Sequence, residues 1–324
     1  MRFGVCAWSF SKAHHDAGRD IDPHTLAGLA ELARGSGLSA VELSGAAIQD
    51  ADPALVEELA APDNGLTVIV DTGGEAPDQI AGNLDSALQA AALVHAPVVR
   101  TTISRCLEGD RSRFGLEGWR EHLRELVVPL REAAKRAADQ GTAVAVENHQ
   151  DICSRELVQL CEDVDSPAFG VLMDCGNAFA VGETPAAFAE RVLPYLKHVH
   201  LKDYVAHPTP SGWRLVRCPI GSGIVDFGQL VSRFDQAGLD LFGCIEIGAT
   251  SARHIRMLEP EWWQGFDPRP WNENLDAIRG LHAAQQPPES EWQTPHERGA
   301  EPDELVAYEM EQYEKSVAFV TGLS

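Results

Sequence analysis

Eight short runs rich in Val, Ile and Leu alternate with stretches whose apolar residues recur every three to four positions, and this alternation constrains the fold more than any other feature of the chain. The runs are FGVCAWSF (3–10), LSAVELSG (38–45), LTVIVDTG (66–73), PVVRTTIS (97–104), TAVAVENH (142–149), FGVLMDCG (169–176), KHVHLKDY (197–204) and FGCIEIGA (242–249). Helical patterning covers 24–35, 78–95, 115–139, 155–163, 185–196, 227–237 and 271–285, and a weaker segment, 51–61, completes the set. Strand followed by helix, eight times, calls for a parallel sheet with right-handed crossovers. Eight such units close, so the predicted class is α/β, a (β/α)8 TIM barrel over 1–285 with a C-terminal helical extension. An open doubly wound sheet is the rival, but no GxGxxG turn follows the first run.

Two segments exceed a minimal barrel. The stretch 249–270 is long for a connection after the eighth strand and is expected to close over the barrel mouth as a lid. Beyond 285, a Pro/Glu-rich linker leads into an amphipathic helix with an apolar stripe at Val306, Met310, Tyr313, Val317 and Val320. That stripe needs covering, either by the chain's own barrel or by a partner, as a homo-oligomer or with a small second subunit.

Composition narrows the function classes. With 26 Lys+Arg against 49 Asp+Glu the formal charge is −23, and no basic groove offsets it, which argues against nucleic acid and anionic membranes as partners. Seven cysteines, an odd number without CxxC spacing, read as a reduced chain. The N-terminus opens directly on a strand-like run, without a leader or a membrane-length apolar segment, so a cytoplasmic location is expected.

The chemistry sits at strand ends. Glu147, Asp174, His200 and Glu246 each close one of the last four apolar runs. Strand alternation puts all four on the inward phase, with Leu172 below Asp174, Cys244 below Glu246, and His198 and Lys202 flanking His200. Three hard oxygen donors and one imidazole suit a divalent ion such as Mn²⁺, Mg²⁺, Co²⁺ or Zn²⁺. A lone acid at a strand end is usually a cap or loop solvator; four converging ones are harder to dismiss. His149 follows Glu147 on the same side. His198 lies deeper and reads as a supporting or core histidine, and the adjacent His14 and His15 read as a solvated loop rather than a second metal site. Lys202 and Asp203 stand at the mouth, to contact substrate or to brace the loop. The stretch CPIGSGIVDF (218–227) offers either a phosphate-binding turn or a plain one. Trp8, Phe10, Trp262, Trp263 and Trp271 offer apolar faces to a sugar ring, with core packing the default for each.

The motifs VENH, DCGN, HVHLKD and IEIG, with GSGIVDF between the last two, resemble in order and spacing the xylose isomerase-like barrel superfamily of sugar isomerases, epimerases and related lyases, over about residues 1–285. The resemblance implies one metal ion, Mn²⁺ foremost, held by Glu147, Asp174, His200 and Glu246, with the two glutamates shuttling protons on a keto-sugar or related substrate. Trp8, Asn177, Lys202 and Trp263 are the candidate substrate contacts at the barrel mouth. The endonuclease branch of the superfamily carries DxxH and DxH motifs, which Asn177 and Gly228 break here. Members that cleave 3-oxo-C-glycosides use a histidine two residues after the first metal glutamate, the place of His149, and work with a small second subunit. A non-catalytic sugar-binding subunit is the remaining alternative.

Overall fold

The computed structural model describes residues 1–248 and 250–323. Eight parallel strands close a barrel: β1 (Arg2–Cys6), β2 (Ala40–Ser44), β3 (Thr67–Thr72), β4 (Val98–Thr101), β5 (Ala143–Glu147), β6 (Phe169–Asp174), β7 (Leu196–Leu201) and β10 (Phe242–Ile245), with β10 pairing to both β1 and β7. The crossover helices fall where the periodicity puts them, and the weaker segment is a real helix, Pro53–Ala60, capped by Asp52 and started by Pro53.

Alternation gives the barrel interior two storeys. The lower is apolar, built from Cys6, Ala40, Ile69, Val98, Ala145, Leu172, Phe242 and Cys244. One inward step up, β2 to β7 and the end of β10 carry Glu42, Asp71, Arg100, Glu147, Asp174, His200 and Glu246, all buried. Charge is thereby lifted to the carboxyl ends of the strands, onto an apolar floor.

The sequence reading passed over a small second sheet. After β7 the chain forms a hairpin, β8 (Asp203–Thr209) and β9 (Gly212–Cys218), and β11 (Arg253–Ile255) pairs antiparallel to β9. Its signal was present in the Thr-Pro-Ser-Gly turn at 209–212, flanked by strand-like residues, where Gly212 takes φ 153°.

The segment expected to form a lid therefore starts by adding a strand; its first residue, Ala249, lies outside the described residues. Its later residues pack on the loops after β4 and β6. Trp262 donates from Nε1 to the Glu108 carbonyl (2.7 Å), and the Trp263 ring packs beside Gly182 and Arg269. Trp271 opens the helix Trp271–Ala283 and is exposed.

Residues 286–301 run along the small sheet, with Gln286 N–H on the Ala206 carbonyl (2.7 Å), Arg214 Nε on the Trp292 carbonyl (3.1 Å) and Thr294 Oγ1 on the Thr250 carbonyl (2.8 Å). The terminal helix, Pro302–Thr321, lies on the chain's own barrel. Val306, Tyr313 and Val320 are buried, and Met310 and Val317 pack against the core. Tyr313 meets Phe10 edge-on and donates to Ser36 Oγ (3.0 Å), while Glu309 sits between His14 and His296 and accepts from Ser11 N–H. The stripe that argued for an assembly is thus covered within one chain, and buried His14 is committed to Glu309.

Candidate metal centre and barrel mouth

Glu147, Asp174, His200 and Glu246 meet: each offers a ligand atom, and the four atoms lie within 4.8 Å of one another. They arrive from the ends of β5, β6, β7 and β10, and each is aimed by neighbours. Glu42 accepts from Nε2 of His200 (2.8 Å) and Nε2 of His198 (2.7 Å), which turns His200 Nδ1 toward Glu147, Asp174 and Glu246. His200 Nδ1 lies 2.7 Å from Glu246 Oε2 and 3.8 Å from Glu147 Oε1, without the alignment of a hydrogen bond. Asn148 staples β5 to β6, accepting from the Asp174 N–H (2.7 Å) and donating to its carbonyl (3.0 Å). Asn177 lies behind the centre rather than in front of it. Its Nδ2 donates to Asp174 Oδ2 (2.7 Å) and its Oδ1 accepts from Gln150 and Tyr204, so it steers a ligand and is buried away from the mouth.

The donor set fits a divalent cation. Glu147 Oε1 and His200 Nδ1 are buried without a hydrogen-bond partner among the described residues, Glu246 Oε2 has only an ion pair with Lys202 (2.9 Å), and all three belong to the cluster. Orphaned buried polar atoms are costly, and a shared ion satisfies all of them together. Five carboxylates, Glu42, Asp71, Glu147, Asp174 and Glu246, face only two fixed cations, Arg100 and Lys202. Three oxygens and one nitrogen with no thiolate match Mn²⁺, Mg²⁺, Co²⁺ or Zn²⁺.

Electrostatics differ sharply among these groups. Burial works against ionised Glu147, but the Arg100 guanidinium, with Nε at 2.6 Å, outweighs it and holds the carboxyl well below the usual range. Burial likewise opposes the Glu246 charge, and Lys202 and His200 override it. Asp174 goes the other way, raised by burial and by Glu246 and Glu147 despite Lys202. Lys202 Nζ bridges Asp174 Oδ2 (2.5 Å) and Glu246 Oε2 (2.9 Å), a fixed positive charge inside the ligand set. Burial pushes Asp71 up to about 6, against the pull of Arg100 and a hydrogen bond from Trp8 Nε1 (2.5 Å). His149 is drawn down to about 4 by burial, and its Nδ1 has no partner among the described residues.

A cavity of about 1450 Å³ opens over the centre, with Glu246, His149, Arg100, Asp71 and Trp8 among its lining residues. Trp8 is 53% exposed and is one of the residues that line this cavity. Trp263 does not line this cavity. The glycine turn after β9 holds no free anion cradle: N–H groups of Gly221, Gly223 and Val225 all donate to the Asp203 carboxylate at 2.8–3.1 Å. Asp203 braces the loop. Glu42, Asp71 and Arg100 escaped the sequence reading, although the alternation that finds Glu147 also turns each of them inward.

The sequence profile of the family described as xylose isomerase-like TIM barrel matches residues 24–280, well over half of the 324. The chain belongs to this family. It is similar to the 3-oxo-isoapionate decarboxylase of Pectobacterium atrosepticum, 24% identical over 71% of this chain and 79% of that protein. Among solved structures, a xylose isomerase-like TIM barrel protein from Mycobacterium smegmatis in complex with magnesium superposes with TM-score 0.57 at 17% identity, covering 88% of this chain and 98% of that one. The 3-keto-D-glucoside 4-epimerase of E. coli superposes at 0.56 with 14% identity, covering 87% and 99%. At these identities the two superpositions establish the fold. No helix among the described residues is long and apolar enough to cross a membrane.

Proposed function

We propose that this chain is a divalent-metal enzyme, with Mn²⁺ the foremost candidate, that removes a proton next to the carbonyl of a keto-sugar or sugar derivative, as isomerases and epimerases do. The reading is carried by the convergence of Glu147, Asp174, His200 and Glu246, with Glu147 Oε1 and His200 Nδ1 buried and unpartnered among the described residues, on one point below a cavity large enough for a sugar. When bound, the ion supplies Lewis acidity to a carbonyl oxygen and steadies the charge that develops there as the neighbouring proton leaves. The relatives' names speak for the same demand, since epimerisation beside a keto group and loss of carbon dioxide from a 3-oxo acid both place negative charge on that oxygen.

The chain's own residues divide the remaining work. Glu246 and His149 reach the cavity, whereas Glu147 is fully buried and clamped by Arg100. Glu246 is held by Lys202 at 2.9 Å, and His149 carries an open Nδ1, so these two groups are the ones placed to take and return a proton at the substrate carbon. Trp8 gives the sugar ring an apolar face.

His149 also favours a second reading, cleavage of a 3-oxo-C-glycoside, in which a base other than the metal glutamates starts the reaction. Both share the first proton transfer. Screening keto-sugars and 3-oxo-glycosides with Mn²⁺ by mass spectrometry separates the products. Metal analysis of Asp174→Ala and His200→Ala tests the centre itself, and full metal content in both variants overturns the proposal. If His149→Ala keeps wild-type turnover rather than losing about 10²- to 10⁴-fold, the cleavage reading falls and Glu246 takes the proton.

A further inference from the structure

Four arginines among the described residues have no carboxylate within 4.0 Å: Arg131, Arg217, Arg253 and Arg279. Arg131 and Arg279 are exposed to solvent. Arg217 is only 8% exposed, Arg253 is half-buried, and both line the cavity above Glu246. In a chain with 49 acidic residues, two sheltered guanidinium groups without an acid between them need an explanation.

The small sheet explains how they come together. Arg253 pairs with Leu215 across β11 and β9, and Arg217 is two residues further along β9, so the two arginines are diagonal neighbours on one face. The rest of that face is apolar and buried, with Trp213, Leu215 and Ile255. Arg214, one residue out of phase, points to the other side and finds Glu297.

Neither pair member is saturated. Arg217 spends Nη1 on the Gly248 and Ser251 carbonyls, and its buried Nε has no partner among the described residues. Its guanidinium lies beside Gly248, two residues past Glu246, where a Cβ would stand 3.7 Å from Cζ. Arg253 donates no side-chain hydrogen bond among the described residues, and its Nε is likewise buried and unpartnered. Burial and then the charge of Arg217 pull the Arg253 guanidinium below its ordinary value, more than Tyr204, Glu108 and Glu246 raise it.

We infer that Arg217 and Arg253 form an anion subsite in the wall of the cavity, which selects substrates carrying a carboxylate or a phosphate at one end of the sugar. Planar guanidinium groups bind either anion through paired N–H donors, and the ligand neutralises a like-charged pair that the protein leaves open. The subsite also offsets the repulsion that a formal charge of −23 imposes on an incoming anion. This inference rests on the functional reading above and narrows its substrate class.

The test compares ligands that differ only in charge. Full-length protein, both Mn²⁺-loaded and chelator-treated, is titrated calorimetrically with aldonates and uronates against their amides, and with hexose 6-phosphates against free hexoses. At least one anionic member is expected to bind tenfold or more tightly than its neutral twin, in both forms of the protein, and the panel that shows the gain tells carboxylate from phosphate. Arg253→Gln should cut that advantage at least fivefold and Arg253→Lys should restore part of it; Arg253 is the cleaner position because Arg217 also ties down the loop. Equal binding of charged and neutral twins in both panels, or an advantage that Arg253→Gln leaves intact, overturns the inference. A wrong metal reading shows itself separately, as Mn²⁺ that fails to bind, and leaves the chelator-treated comparison standing.

Discussion

Replacing Glu42 by glutamine asks how far the ligand set depends on a residue that is not part of it. In the native chain one fully buried carboxylate accepts from two imidazoles, at 2.7 Å from His198 Nε2 and 2.8 Å from His200 Nε2. Glutamine keeps the shape, but His200 Nε2 lies 2.8 Å from both Glu42 oxygens, so even with an oxygen left at the Oε2 position to accept from both imidazoles the amide group at Oε1 confronts the His200 N–H donor to donor. If His198 or His200 keeps its proton unpaired, the metal-free protein loses about 1–3 kcal/mol. If His200 moves its proton to Nδ1 instead, the lone pair aimed at Glu147, Asp174 and Glu246 disappears. Losing such an outer carboxylate typically weakens a metal by about 10- to 100-fold, or about 1.4–2.7 kcal/mol of binding free energy. Calorimetric Mn²⁺ titration of chelator-stripped Glu42→Gln, with Asp174→Ala as the non-binding reference and circular dichroism to confirm folding, reads the effect. A folded Glu42→Gln with wild-type Mn²⁺ affinity refutes the claim that Glu42 aims His200.

Arg100→Met leaves Glu147 Oε2 buried without its cation, and urea unfolding of the metal-free protein should show a loss of about 3–5 kcal/mol; a loss below about 1 kcal/mol would mean that Arg100 is no clamp. Glu309 is held down to about 2, because its hydrogen bonds from His14, His296 and Ser11 outweigh the opposing burial. A carboxyl depressed on folding stabilises the chain above its unfolded value near 4.5 and stops doing so as pH falls from there toward 2. The melting-temperature gap between wild type and Glu309→Gln should therefore be full at pH 6 and shrink below pH 4.5, and a gap that widens on acidification contradicts the assignment. Gly221 has φ 83° and lies against the Phe319 ring of the terminal helix, whereas Gly65, at φ 76°, faces open space. Alanine at 65 should cost only backbone strain, about 1–3 kcal/mol, while alanine at 221 should cost more and speed proteolysis of 286–301; equal costs would show that the helix does not press on that turn.

The barrel and the convergence of four side chains were legible because both rest on period: runs and helices alternate eight times, and Glu147, Asp174, His200 and Glu246 share one phase. The same phase carries Glu42, Asp71 and Arg100, but each stands in or beside an apolar run, where a single charge draws no attention until the closed barrel shows what it faces. Asn177 looked like a mouth residue because it follows a strand end, and only the tight turn Gly176–Val181 folds it back under Asp174. Trp263 follows another limit of sequence. Segment length says that 249–270 is more than a connection, but not that its first half joins β9 and its second half packs on the loops after β4 and β6. The covering of the terminal stripe depended on a surface made by the loop after β1 and by helix Leu26–Gly35, which no local pattern specifies.

The charged storey draws on seven of the eight barrel strands, from Glu42 on β2 to Glu246 just past β10, and β10 is the strand that zips to β1 to complete the ring. No contiguous piece of the chain short of nearly the whole barrel contains the site. An ion or substrate that engages this storey therefore recognises closure itself, and its binding free energy adds to the stability of the entire ring rather than to one helix or hairpin. Hydrogen exchange would report this as slowed opening shared by all eight strands together, with the arginine-bearing small sheet and the 286–301 segment left to open on their own terms.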